Sequence, residues 1–145
     1  MFYRRSTELA LQATALVAWE SPERVCRVRD LAARLRVPAS YLAKVVQPLA
    51  RAGVLRSRRG PGGGIQLARP PHTIRLWEIV SAVEPMADLE RCVLGLGPCS
   101  EVHSCPAHEA WVELRRKVLR HLHETSLGDV MQAMDRRLEL VSIRF

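Results

Sequence analysis

Apolar residues along the chain fall into helical stripes, interrupted by one short alternating stretch and one long segment with no period. Leu9, Ala13, Leu16 and Val17 share a face in a first helix, and Leu31, Ala32 and Leu35 continue the pattern in a second. Leu42, Val45, Val46 and Leu49 form an i, i+3, i+4, i+7 stripe in a third, which Pro38 can open from its first turn and Ala52-Gly53 can stop. Pro48 lies inside this helix and removes the backbone bond to the Lys44 carbonyl, so a kink or a loosened final turn is expected. Arg36-Val37-Pro38 is all that separates the second and third helices. Two short helices joined so tightly predict a helix-turn-helix, whose second helix would offer Ala39, Ser40, Tyr41, Lys44 and Gln47 outward to a major groove. An ordinary helical hairpin has the same pattern.

The next segment favours the first reading. Val54-Leu55-Arg56-Ser57 and Ile65-Gln66-Leu67 predict two strands around the turn Arg58-Arg59-Gly60-Pro61-Gly62-Gly63-Gly64. A glycine-rich tip with two arginines, Arg58 and Arg59, can lie against phosphates or enter a minor groove. A nucleotide-binding loop is the rival, but the Lys-Ser/Thr of a P-loop is absent and a strand follows. Thr73 can then cap a helix with Leu76, Ile79, Val80 and Val83 on one apolar face and Trp77 beside it. From Glu84 to Cys105 the period stops. Beyond it, Trp111, Leu114, Val118 and Leu122 predict a long helix packed against another. Ser126 with Asp129 forms a capping-box pattern that opens a last helix through Met131, Met134 and Leu138. The expected fold is mainly α with a small β-wing, one compact domain overall. It divides into a winged helix-turn-helix unit over 1–84, a loop over 85–105 and C-terminal helices over 106–145.

Charge turns this outline toward a partner. The net charge is +7, yet Arg24 to Arg75 alone holds twelve Lys/Arg against the single acid Asp30. A localised surplus is what a polyanion-binding surface requires, which makes nucleic acid the natural partner. A basic membrane-binding face competes, but the glycines and turns here break any long amphipathic helix. With 145 residues and 48% hydrophobic content the chain can bury one core. No apolar run approaches the roughly 20 residues needed to cross a bilayer, and Met1-Phe2-Tyr3-Arg4-Arg5 lacks signal-peptide features, so a cytoplasmic protein without membrane attachment is expected. No nucleophile–base pair or cofactor fingerprint suggests an enzyme.

In the cytoplasm four cysteines point to metal binding, redox chemistry or plain burial rather than structural disulfides. Cys92, Cys99 and Cys105 are spaced C-x6-C-x5-C in the aperiodic loop. Iron–sulfur centres need several thiolates converging from adaptable backbone, zinc would accept the same donors, and incidental thiols are the third reading. His108 follows Cys105 by three residues, so a helix starting at Pro106 would set both on one side of its first turn. His103 also lies in the loop, and Cys26 is remote and reads as a small buried residue.

The stretch from Val37 to Pro85 resembles the Rrf-two type family of winged-helix transcription regulators, which includes iron–sulfur regulators of the IscR and NsrR kind. The most specific pieces are Tyr41-Leu42, Ala52-Gly53-Val54, Ser57-Arg58-Arg59-Gly60, Gly62-Gly63-Gly64 and Leu67-Ala68-Arg69-Pro70, and the similarity runs through nearly the entire chain. The resemblance implies a DNA-binding regulator, a repressor by type, controlled by a cluster that senses iron–sulfur status, redox state or nitric oxide. It also implies DNA contacts from Ser40, Tyr41 and Lys44 on the recognition helix, and from Arg59, Gly60, Gly62 and Gly63 on the wing. Homodimerisation through the long C-terminal helix follows likewise, with a palindromic double-stranded operator whose half-sites lie about 34 Å apart. Cys92, Cys99 and Cys105 occupy the places of the family's cluster ligands, although the first gap is one residue longer than the iron–sulfur members' C-x5-C. Whether the cluster is [2Fe–2S] or [4Fe–4S] stays open. For the fourth ligand the resemblance offers His108, matching a Cys-x-x-His arrangement, or Glu8 from the partner subunit. A cluster-free regulator controlled by zinc, thiol oxidation or another effector is the alternative.

Overall fold

A computed structural model describes residues 4–20, 23–85, 91–102 and 105–138, with side chains described as far as Asp135 in the last helix. Six helices and one two-stranded sheet follow in chain order among these residues: α1 (Arg5–Glu20), α2 (Val28–Leu35), α3 (Ala39–Arg51), β1 (Leu55–Arg58), β2 (Gly64–Leu67), a 3-10 turn (Pro71–Thr73), α4 (Leu76–Val83), α5 (His108–Glu124) and α6 (Leu127–Leu138). The fold class is the expected one, mainly helical with a small antiparallel wing.

The apolar stripes of the first four helices close one core. Leu9, Ala13, Leu16 and Val17 of α1 meet Leu31 and Ala32 of α2, Leu42, Val45, Val46 and Leu49 of α3, and Ile79 of α4. Each large aliphatic side chain removed from water this way contributes about 1.5–3 kcal/mol, which explains why α1, whose eight buried residues run along its length, forms the centre. α2 ends at Arg36, whose φ of +54° lets its N–H reach back to Ala33 O and lets Val37 N–H bond Ala32 O. That left-handed residue makes the tight turn into α3. Pro38 sits one position outside the helix as its extended N-cap, and α3 continues through Pro48 to a last turn closed by Ala52 N–H to Pro48 O. Ala39, expected to face outward, is half-buried and packs on the core.

The wing pairs Leu55 with Leu67 and Arg58 with Gly64, so its two strands lie one residue from the expected bounds. It is held to the body by a bridge between Ile65 and Cys26, with Cys26 N–H to Ile65 O at 2.7 Å and Ile65 N–H to Cys26 O at 2.9 Å. Thr73 does not cap α4. Its hydroxyl donates to Pro70 O within the 3-10 turn, and the Glu78 carboxylate instead receives the Arg75 N–H at 2.8 Å and the Arg69 guanidinium.

α5 begins at His108 rather than Pro106, after Cys105 O accepts the His108 N–H at 2.9 Å. Leu122 is buried, and Trp111 and Val118 are half-buried, but Leu114 is 44% exposed. The stripe read as one packed face therefore turns partly to solvent. α6 opens on the expected capping box, with Ser126 Oγ accepting the Asp129 N–H at 3.1 Å and Asp129 Oδ2 accepting the Ser126 N–H at 2.8 Å. Those two donors hold the Asp129 carboxyl below the usual range. Leu127 joins the same core as Leu9 and Leu42, so the C-terminal helix packs into the N-terminal unit.

Candidate functional site

The outward face of α3 carries Ser40, Tyr41, Lys44 and Gln47, all exposed as expected. Beside it projects the wing tip, where Arg58, Arg59, Gly60 and Gly62 are exposed and Gly63 is half-buried. The tip closes through Gly63 N–H to Gly60 O at 2.9 Å, and a Cβ at Gly63 would stand 2.4 Å from Arg58 O. Only glycine permits that approach, and the tight turn is what thrusts the two arginines outward.

The basic run is not one uniform surface. Glu20 holds Arg24 and Arg34, Arg69 binds Glu78 and Thr73 O, and Arg75 donates to Glu124 O at 2.8 Å. Arg56 reaches Ala68 O at 3.4 Å. Arg27, Arg29, Arg36, Lys44, Arg51, Arg58 and Arg59 remain exposed with no side-chain partner among the described residues. They lie on α2, the turn, α3 and the wing, the elements that a groove-bound helix-turn-helix brings nearest to phosphates. The sequence alone did not separate structural arginines from free ones, because the carboxylates that engage them lie on other elements.

At the other end, the loop before α5 gathers the remaining candidates. Cys92 Sγ lies 3.6 Å from Cys105 Sγ, and Cys99 Sγ lies 3.3 Å from His108 Nδ1. All four side chains are half-buried. Backbone sets this arrangement: Cys92 N–H bonds Gly97 O at 3.0 Å, Gly95 N–H bonds Cys92 O at 2.9 Å, and Arg91 bridges Pro98. Trp111 on α5 donates its indole N–H to Arg91 O at 2.9 Å and ties the loop to the helix. Sequence reasoning missed Trp111, whose position in a helical stripe read as packing alone. The backbone N–H of Leu94, with those of Leu96 and Gly95 and the Cys105 thiol, turns toward the Cys92 sulfur and holds its pKa below the ordinary thiol value.

Other candidates stand apart. Glu8 is ion-paired with Arg5 at 3.0 Å on α1, and His103 lies outside the described residues. Cys26 is buried beneath the wing, as expected, and burial followed by the Glu20 charge pushes its thiol pKa up. Among the described residues no three His, Cys, Asp or Glu side chains converge as ligands of a single metal ion. No described helix is long and apolar enough to cross a membrane.

A family model described as an iron-dependent transcriptional regulator, Rrf2, matches residues 3–133. The HTH-type transcriptional regulator IscR of Vibrio campbellii is 31% identical over 123 residues, covering 85% of this chain and 73% of that protein. Of solved structures, Staphylococcus aureus CymR superposes with a TM-score of 0.70 at 26% identity, over 88% of this chain and 96% of that one. The T. potens IscR structure gives a TM-score of 0.72 at 20% identity, over 91% and 87%.

Proposed function

The chain belongs to the Rrf2 family of transcriptional regulators, which are not enzymes, and we propose that it is a homodimeric repressor of a palindromic operator under the control of an iron–sulfur cluster. The supporting observation is the pairing of Cys92 with Cys105 and of Cys99 with His108. A tetrahedral metal with sulfur ligands at about 2.3 Å and a nitrogen at about 2.0 Å sets two sulfurs about 3.8 Å apart, and a sulfur and a nitrogen about 3.5 Å apart. The two contacts, 3.6 and 3.3 Å, are near these values. A single zinc ion needs four donors around one point, whereas a [2Fe–2S] cluster takes two donors on each iron and a [4Fe–4S] cluster one on each. Two separate pairs therefore support the [2Fe–2S] form. His108 stands as the fourth ligand in preference to Glu8 because it already touches Cys99 while Glu8 is engaged by Arg5.

When bound, the cluster supplies a centre reactive to oxidants and nitric oxide. The chain's own residues carry the response. His108 sits in the first turn of α5 and Trp111 one turn on, so the loop and the helix start move together. The far end of α5 is fastened to the DNA-binding unit: Leu76 N–H bonds Thr125 O at 3.0 Å, Leu127 N–H bonds Ile74 O at 2.8 Å, and Trp77 stacks on His123 with centroids 4.5 Å apart. Ser40, Tyr41, Lys44, Arg58 and Arg59 would face the operator, with Gly60, Gly62 and Gly63 shaping the tip, and the exposed side of α5 around Leu114 would meet the second copy.

The test starts from an operator that the protein itself selects from random duplex DNA. Anaerobic native mass spectrometry should give a dimer carrying cluster mass, and Cys99→Ser and His108→Ala should each lose it while Glu8→Gln keeps it. Loaded and cluster-free protein should bind the operator with different affinity; equal affinity refutes cluster control. No visible absorption after loading favours the cluster-free regulator. Arg59→Ala should weaken binding and lower the salt-dependence slope by about 0.9. Unchanged binding refutes the wing assignment.

A further inference from the structure

We propose that in the cluster-free chain Cys92 and Cys105 form a reversible disulfide that excludes Cys99, giving the loop a second, thiol-based state. The two sulfurs stand 3.6 Å apart, so a bond of about 2.05 Å requires an approach of about 1.5 Å. Both residues are anchored to the same first turns of α5. Arg91 O, beside Cys92, accepts the Trp111 indole N–H, and Cys105 O accepts the His108 N–H. The closed turn from Cys92 to Gly97 holds the first sulfur in place from the other side. Cys99, by contrast, is directed to His108 Nδ1 at 3.3 Å, and Cys26 is buried under the wing. Half-buried thiols at this separation are open to a small oxidant, which the deeply packed Cys26 is not.

The oxidant is a hydroperoxide. One cysteine sulfur attacks a peroxide oxygen, the O–O bond breaks, and a sulfenic acid forms with release of water or an alcohol. The second thiol sulfur then displaces hydroxide from the first, the S–S bond forms, and the released proton and hydroxide leave as water. Two thiols lose two electrons and two protons, and the peroxide is reduced. Small cellular dithiols reverse the bond by exchange. The bond does not depend on the cluster reading. Its consequence does: two of the four proposed ligands are consumed, so an oxidised chain cannot be loaded until it is reduced.

The full chain, purified anaerobically from iron-limited cells, is treated with one equivalent of hydrogen peroxide and alkylated. No Lys or Arg lies between Cys92 and Arg115, so one tryptic peptide carries all three loop cysteines, and cleavage after Glu101 separates Cys105 from the other two. The expected product is this peptide two hydrogens lighter, its halves joined through Cys92 and Cys105, with Cys99 and Cys26 alkylated. Cys99→Ser should keep the link and Cys105→Ser should lose it. Comparable linkage through Cys99, a link between chains, or sulfinic acid without a link overturns the proposal. Crosslinked protein should take up no cluster from iron and sulfide until a dithiol is added; uptake without reduction overturns the gating. Wild-type reduced protein that fails to load while the crosslink maps as expected refutes the cluster reading alone.

Discussion

Replacing Gly64 by alanine puts the wing's attachment under direct strain. A Cβ there would lie 2.2 Å from the Cys26 carbonyl oxygen and 2.8 Å from its carbon, both main-chain atoms that cannot swing aside. Carbon and oxygen pack no closer than about 3.3 Å, so β2 must withdraw by about 1 Å. That movement carries the two Cys26–Ile65 hydrogen bonds, now 2.7 and 2.9 Å, past useful length. At about 1 kcal/mol each, their loss costs about 2 kcal/mol before any repacking of Ile65, which is buried. Urea denaturation at one fixed protein concentration should show a lower midpoint with an unchanged slope. Ser57→Ala, on the exposed side of β1 opposite Ile65, should stay within about 0.5 kcal/mol of wild type. Because the displaced strand carries the tip, Gly64→Ala should also weaken operator binding. Gly64→Ala with wild-type stability refutes the close approach, and lowered stability with full affinity refutes the wing's part in DNA binding.

Two further perturbations test the polar contacts. Thr7 is fully buried and donates its hydroxyl to Glu84, itself 5% exposed, so Thr7→Val leaves that carboxylate short of a donor without opening a cavity. A loss of about 1.5–3 kcal/mol by urea denaturation is expected, with Thr7→Ser recovering most of it; a neutral Thr7→Val removes the contact from the stability argument. Burial alone would raise the Glu78 pKa, but the Arg75 backbone N–H and the Arg69 guanidinium outweigh it and hold it below the ordinary value. A depressed carboxylate stabilises the fold above the unfolded pKa of about 4.3 and loses that contribution as pH falls through its folded value. The stability gap between wild type and Glu78→Gln should be flat from pH 6 to 8 and shrink below about pH 4. A gap that widens on acidification contradicts the assignment.

Helices α1 to α4 were legible because their stripes face a single core, and a period of 3.6 reports burial on one side directly. The α4 cap was not, because a threonine before a helix and a threonine inside a 3-10 turn look alike until Glu78 is seen returning to Arg75. Leu114 was misplaced for a related reason: periodicity marks an apolar face but not whether the same chain covers it. At the cysteines, spacing identified the donors and left their pairing open. The pairing depends on the Trp111 link to Arg91 O and on the closed turn after Cys92, neither of which has a signature in the order of residues.

The two ends of α5 differ in what holds them, and that difference gives the proposed control its direction. Its C-terminal end is fixed by Thr125, Ser126 and Leu127 against residues 74–76, by Arg75 on Glu124 O, and by Trp77 stacked on His123. Ile74 and Leu127 lie in the core shared with the recognition helix. The N-terminal end, by contrast, is joined to the rest of the chain through the cysteine loop and the indole bond of Trp111. A change at the cysteines therefore acts on the less restrained end of a helix of 17 residues, about 25 Å long. If the exposed face of α5 carries the second copy, a small displacement there alters the separation of the two recognition helices while each DNA-binding unit stays intact. Mutations in the clamp should then uncouple the sites instead of abolishing either one. Trp77→Leu should preserve cluster loading and operator binding but narrow the affinity difference between loaded and cluster-free protein, and an undiminished difference would mean that the signal takes another path.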